Sequence, residues 1–155
     1  MKILVISDSH GSKDAILDAI AMESPELILH LGDHDKDCAV IETEYPGIPL
    51  RSIRGNCDRT SAGFDADEFR LENKLFYMTH GHLYHVKFSK ASLIKMAADR
   101  GVDVLLFGHT HIPYYSLNGT LSIINPGSIG STEKSYAVLE LKNGVVSCEL
   151  KSNMF

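Results

Sequence analysis

Five short apolar runs in this chain each break off beside a glycine and a side chain able to hold a metal ion. Residues 2–7 precede Asp8-Ser9-His10-Gly11, and residues 27–31 precede Gly32-Asp33. Residues 50–54 precede Gly55-Asn56, residues 75–79 precede His80-Gly81, and residues 102–107 precede Gly108-His109-Thr110-His111. Continuous apolar runs of this length, rich in β-branched residues, read as strands covered on both faces. In open α/β folds the carboxyl ends of such strands lie along one edge, where ligands bind. Glycine at a strand end lets the loop turn sharply and aim the next side chain inward. The pattern therefore restricts the chain to an α/β fold with a shared, ligand-bearing edge.

The segments between the runs fit that reading. Ser12 is placed to cap a helix in which Ile16, Leu17, Ile20 and Ala21 recur at helical spacing, closed by Pro25. Strand, helix and second strand make a right-handed βαβ unit. Residues 36–44 suit a short helix, residues 59–67 an exposed loop, and residues 89–100 a helix stopped by Gly101. Hairpins are expected around Asn73-Lys74, Asn118-Gly119 and Asn143-Gly144. No repeat or linker interrupts the 155 residues, so residues 1–155 read as one domain of two packed mixed sheets with helices on the outer faces.

A formal charge of −5 leaves no basic footprint, which argues against nucleic acid as the partner. Cys38, Cys57 and Cys148 are odd in number, lack a CxxC spacing and follow no secretory signal, as reduced cytoplasmic thiols would. No apolar run approaches the ~20 residues of a membrane span, so no membrane association is expected. The oligomeric state is open, a homo-oligomer included.

Asp8, His10, Asp33, Asn56, His80, His109 and His111 together offer two carboxylates, four imidazoles and one amide. That is more than one ion ordinarily takes, and the oxygen–imidazole mixture suits two first-row divalent ions. We place Mn²⁺ first, with Ni²⁺, Zn²⁺, Fe or Co²⁺ as the other candidates. Two such ions about 3.5–4 Å apart are the usual clamp for phosphate esters. Two divalent ions, two carboxylates and a bridging hydroxide leave about +1, a site ready for a phosphate anion. The two imidazoles of His109-Thr110-His111 can face one small volume without binding the same ion. His30, His34 and His85 are given structural roles, and Asn125-Pro126-Gly127-Ser128 can be a plain turn. His82 is open between supporting a ligand and facing substrate.

Asp8-x-His10, Gly32-Asp33, Gly55-Asn56-Cys57-Asp58, His80-Gly81-His82 and Gly108-His109-Thr110-His111 resemble, in order, the motifs of the calcineurin-like metallophosphoesterases. The closer likeness is to their small YfcE-type phosphodiesterase branch, and it runs from Met1 past Ser128. The resemblance implies a four-layer α/β/β/α sandwich with a dinuclear metal site at the strand C-terminal ends. It places Asp8, His10, Asp33 and His111 on one ion and Asp33, Asn56, His80 and His109 on the other, with Asp33 shared. It implies hydrolysis of a small phosphate ester, as a phosphodiesterase, by in-line attack of a hydroxide bridging the ions, with Asn56 also facing the phosphate. A phosphomonoesterase or nuclease on the same site is the alternative within the enzyme class. A non-catalytic scaffold resembling the small retromer subunit is the alternative outside it.

Two positions depart from the pattern. Many relatives carry a histidine after the motif asparagine, where it protonates the leaving group; here the residue is Cys57. A thiol with a pKa near ~8.5 is the weaker acid at neutral pH. His82 or an ordered water is then the substitute donor, unless the substrate's leaving group departs unaided. The other reading of Cys57 is a small buried packing residue. Many relatives also carry an aspartate three residues after the shared one, where this chain has Lys36; Asp37 is one place off, and its role is left unassigned.

Overall fold

The computed structural model describes residues 1–152. One sheet is built from β1 (Lys2–Ile6), β2 (Leu27–His30), β3 (Leu50–Ser52), β9 (Ser135–Lys142) and β10 (Val145–Ser152), in the order β10-β9-β1-β2-β3. The other holds β4 (Ala66–Leu71), β5 (Lys74–Thr79), β6 (Val104–Phe107), β7 (Tyr114–Asn118) and β8 (Leu121–Asn125), in the order β4-β5-β6-β8-β7. Each sheet is mixed. β1, β2 and β3 run parallel with β9 antiparallel to β1, and β5, β6 and β8 run parallel between the antiparallel β4 and β7.

Alternation along single strands explains the layering. In β1, Ile3 and Val5 point between the sheets and pack with Leu29, Phe76, Met78, Leu106 and Ile124. Leu4 and Ile6 point outward onto Ile16 and Ile20 of α1 (Lys13–Glu23) and Ile41 of α2 (Cys38–Glu44). In β5, Leu75 and Tyr77 face outward to Leu93 and Ala97 of α3 (Ala91–Asp99). The result is the α/β/β/α sandwich that the sequence implied. Burying both faces explains why these strands read as unbroken apolar runs and not as alternating ones.

Several local expectations are corrected. Ser12 makes no side-chain cap: its φ of −80° and ψ of 63° lie outside the extended cap conformation. Its backbone N–H instead donates to the Ser9 carbonyl, and α1 is held by its buried face. The helix read over 36–44 begins as a 3-10 turn, Asp35–Asp37, before α2. β3 is a three-residue edge strand with Arg51 and Ser52 exposed. It ends before the segment Ile53-Arg54-Gly55, so Asn56 follows a loop and not a buried strand. The β4–β5 turn is Glu72-Asn73, one residue earlier than read, because Leu71 pairs with Lys74 and Glu72 takes the left-handed position at φ 51°.

At one edge backbone bonds continue each sheet past its strand ends, and one side chain ties the two sheets together. The Asp8 N–H donates to the Gly32 carbonyl, and the Gly108 N–H to the His80 carbonyl. His80 Nδ1–H reaches across to the Leu31 carbonyl at 2.8 Å.

Candidate metal centre

The two carboxylates are built alike. Asp8, fully buried after β1, accepts hydrogen bonds at Oδ2 from Ser7 Oγ and from the His109 N–H at 3.1 Å. Its Oδ1 is buried without a hydrogen-bond partner, 2.9 Å from His111 Nε2 and 3.9 Å from His80 Nε2. Asp33 accepts the Cys57 N–H at Oδ1, 2.8 Å away. Its Oδ2 lies 3.5 Å from His80 Nε2 and 3.8 Å from His10 Nε2. Each carboxylate thus has one oxygen held by the chain and one left for the cavity.

The imidazoles divide into two pairs. The His10 and His111 rings are 5.4 Å apart, on the Asp8 side. The His80 and His109 rings are 5.1 Å apart, and Asn56 Oδ1 lies 3.2 Å from His80 Nε2. Because His80 Nδ1 is occupied by the Leu31 carbonyl, Nε2 is the atom left for a ligand, the arrangement usual for metal-binding histidines.

Donor atoms lie within 4.8 Å of one another in three groups: Asp8, His10 and His111; Asp8, Asp33 and His80; and His10, Asp33 and Cys57. His109 stands outside these groups. An acceptor buried without a donor is costly, and Asp8 Oδ1 among imidazole nitrogens is relieved by a cation. The residues present therefore fit the divalent ions that the donor set implies.

Electrostatics agree. Burial pushes the Asp33 carboxyl up, but its contacts with His80 and the Cys57 N–H outweigh burial and hold it far below the usual range. Asp8 is likewise lowered against burial, by His111 and His80. Burial opposes charge on His80, yet Asp33 and Asp8 hold its pKa above the ordinary imidazole value. The Asp8 contact does the same for His111, against burial. His109 is pushed down to about 4 by burial and then by the His80 charge. The two histidines of one motif therefore titrate in opposite directions.

A proton-linkage prediction follows. His80 and His111 hold protons above the ordinary value of ~6.5 in the metal-free protein, and a metal takes the neutral imidazole. Loading near neutral pH should release protons, and affinity should rise with pH. Calorimetry in two buffers of different ionisation enthalpy measures this; identical heats would contradict it. In the metal-free fold, the raised His80 stabilises below ~6.5 and that gain is lost as pH rises through its folded value. The lowered Asp8 and Asp33 stabilise above ~3.9 and lose that gain as pH falls.

The supporting shell was the least legible in the sequence. The buried Asp58 carboxylate accepts four backbone N–H groups: Asp33 at 2.9 Å and Gly55 at 2.8 Å on Oδ2, His34 at 2.8 Å and Asp35 at 3.1 Å on Oδ1. Asp37 Oδ2 accepts Ser9 Oγ and the Gly11 N–H, bracing the His10 loop. Asn125, in a segment that by sequence alone can be a plain turn, is fully buried and donates to the Gly108 carbonyl and Thr110 Oγ1. Ser128 Oγ donates to the Asp8 carbonyl. The bracing holds a strained backbone. Asp8, His10, Asp33, His109 and His111 all have φ between 45° and 69°, a region that costs non-glycine residues about 1 kcal/mol or more each. Gly108 carries no Cβ because one would collide with Ser7 Oγ.

Cys57 is exposed and not a packing residue, which corrects that reading. Burial of its sulfur and the nearby Asp33 push its thiol up. His82 is half-buried, its ring 5.5 Å from His80 and 6.1 Å from His109, and burial with the His80 charge pushes it down. His30 is a buried structural residue: its Nδ1 accepts the Gly32 N–H, and burial pushes it down to about 4. His85 is exposed. His34, set aside with them, packs its ring 5.4 Å from His10.

Residues 1–144 match the model of the calcineurin-like phosphoesterase superfamily domain. The chain is 35% identical over 152 residues to the probable metallophosphoesterase YsnB of Bacillus subtilis, covering 92% of this chain and 86% of that protein. It is 29% identical to the phosphodiesterase YfcE of Escherichia coli, covering 95% and 90%. A conserved uncharacterized protein of Streptococcus pneumoniae superposes with a TM-score of 0.82 at 26% identity, over 97% of this chain and 88% of that one. Zinc-complexed Vps29 of Entamoeba histolytica superposes at 0.76 with 20% identity, over 98% and 99%, a likeness of fold. The sheet order, the ligand-bearing edge and these matches agree: the chain belongs to the calcineurin-like phosphoesterase superfamily.

Proposed function

We propose that the chain is a metal-dependent phosphodiesterase acting on a small phosphate ester, and that Asp8, His10, Asp33, Asn56, His80, His109 and His111 hold two divalent ions. One observation carries this: the free oxygens Asp8 Oδ1 and Asp33 Oδ2 face imidazole nitrogens from both sheets at the shared edge. Asp33 Oδ2 lies between His10 and His80, which favours Asp33 as the shared ligand. His10 and His111 then serve one ion, His80, His109 and Asn56 the other. We place Mn²⁺ first among the metals, and a cytoplasmic setting accords with three free thiols. YfcE, a relative named as a phosphodiesterase, supports the diester.

When bound, the ions held by these residues would supply a hydroxide nucleophile at neutral pH and neutralise charge on the phosphoryl oxygens. The chain contributes the rest. Asp8 and Asp33 are oriented by the His109 and Cys57 N–H groups. The Asn56 amide presents its oxygen to the His80 side and its NH₂ toward Cys57 Sγ, where it can donate to a phosphoryl oxygen. Neither nearby proton donor is strong at pH 7, since Cys57 is shifted up and His82 is neutral. Turnover should therefore depend steeply on the acidity of the leaving group. A Cys57→His variant should raise hydrolysis of alkyl esters relative to p-nitrophenyl esters by at least about tenfold, a threshold below the roughly 10²–10⁴-fold that a well-placed general acid contributes. An unchanged ratio would show that position 57 does not face the leaving group.

The scaffold reading rests on Vps29, whose 20% identity concerns the fold. The test is to strip the protein with chelator, restore single ions, and compare bis(p-nitrophenyl) phosphate with p-nitrophenyl phosphate. Diester hydrolysis should return, with Mn²⁺ most effective. Absence of diester turnover with every ion would overturn the phosphodiesterase: monoester turnover alone would point to a phosphomonoesterase, and hydrolysis of neither ester would leave the scaffold reading.

A further inference from the structure

Beside the metal centre lies a pocket of about 210 Å³ lined by Val86, Lys87, Lys90, Thr110, Ile112 and Tyr114. Its walls are the two loops that carry the second set of histidines. Thr110 separates His109 from His111, and Val86 packs over Gly81, where an added Cβ would meet Val86 Cγ2 at 2.9 Å.

No carboxylate lines this pocket. Several cations elsewhere are matched: Arg51 with Asp67, Arg54 with Asp65, Lys74 with Asp103, Lys95 with Asp99, Arg100 with Glu68, and Lys151 with Glu23. Among the described residues, neither Lys87 nor Lys90 makes an ion pair. Lys90 Nζ instead sits 4.7 Å over the Tyr114 ring, which positions its charge without cancelling it. On a chain of net charge −5 the two lysines make a local positive field beside the candidate metal centre. Its apolar lining includes Ile112, 67% exposed. Its size is below the roughly 300–1,000 Å³ of a pocket enclosing a whole small ligand, so it suits one arm of a substrate.

We propose that this pocket reads one arm of the diester: a ring laid against Ile112 and Tyr114, carrying a second anionic group held by Lys87 and Lys90. The substrate class is thus a phosphodiester with a ring-bearing, anionic arm. This rests on the phosphodiesterase reading, and its test separates the two.

Three p-nitrophenyl diesters share one leaving group and differ in the other arm: methyl, benzyl, and benzyl bearing a ring phosphonate. kcat/KM should rise in that order. The final step should be roughly tenfold or more, the effect of a charge-assisted contact, should lie in KM, and should shrink with salt. The double variant K87A/K90A should lose that final step and keep methyl-diester turnover; K87R/K90R should restore it. A wild-type protein indifferent to the phosphonate, or a preference that survives K87A/K90A, overturns the proposal. If no diester is hydrolysed, the phosphodiesterase reading fails by itself, and calorimetric binding of phosphonobenzyl phosphate against benzyl phosphate still decides the pocket. Tighter binding of the former that vanishes in K87A/K90A supports it; equal binding of both overturns it.

Discussion

An Asp33→Ala variant is expected to lose diester turnover by more than about 10³-fold, beyond the 10²–10³ that removal of one transition-state donor costs in other enzymes. The expectation follows from position. Asp33 Oδ2 is 3.5 Å from His80 and 3.8 Å from His10, members of the two imidazole pairs. Its loss therefore touches both proposed ion sites, whereas loss of His10 or His109 touches one. Its other oxygen holds the Cys57 N–H, so alanine also frees the loop that carries Asn56. Asp33→Asn separates these effects. The amide oxygen can keep the Cys57 contact while the charge is gone, so this variant should fold like the parent, bind less metal and remain inactive. Metal content and kcat/KM on both variants check this. Retention of more than about a tenth of parental turnover by Asp33→Ala would be incompatible with a shared ligand.

The largest stability effect is expected at Asp58, which touches none of the candidate ligand side chains. Its carboxylate accepts N–H groups from Asp33, His34, Asp35 and Gly55, and so joins the loop after β2 to the loop after β3. Hydrogen bonds to a charged group are worth about 1.5–3 kcal/mol each, and water replaces part of that when the group is removed. Asp58→Ala should therefore destabilise the metal-free protein by about 3 kcal/mol or more, among the larger effects of single substitutions. Activity should fall with it, because Asp33 and Asn56 lose their common anchor. Denaturant unfolding of the metal-free variant measures the effect; a loss under about 0.5 kcal/mol, ordinary for surface changes, would show that the four contacts are incidental.

What was legible in the sequence was whatever repeats along the chain. β1, β2, β5 and β6 show themselves by apolar composition, and each places Asp8, Asp33, His80 or His109 just past its end. The layers follow from strands buried on both faces. The misread parts depend on contacts distant in sequence. β3 is an exposed edge strand because no neighbour covers it, and Leu50-Arg51-Ser52 alone does not report that. Ser12 has a capping residue's chemistry but not its backbone angles. Asp58 and Asp37 earn their roles through backbone amides gathered by the fold, and composition carries no trace of those. Asp58 had one usable signal: it lies two residues past Asn56, in a loop that had to be fixed from within. By type Cys57 suits either a packing position or the leaving-group position, and it is the fold that carries it after Asn56 onto the exposed face of the loop. The pairing of Lys90 with Tyr114 joins the segment before α3 to β7, and no local pattern announces it.

The most direct measurement adds Mn²⁺ stepwise to chelator-stripped protein and follows bound metal and diester turnover in one sample, for the parent and for His80→Ala. Turnover in the parent should appear mainly with the second equivalent, and His80→Ala should bind one ion and stay inactive. Full turnover at one equivalent, or a His80→Ala protein as active as the parent, would contradict a two-ion site spanning the two sheets.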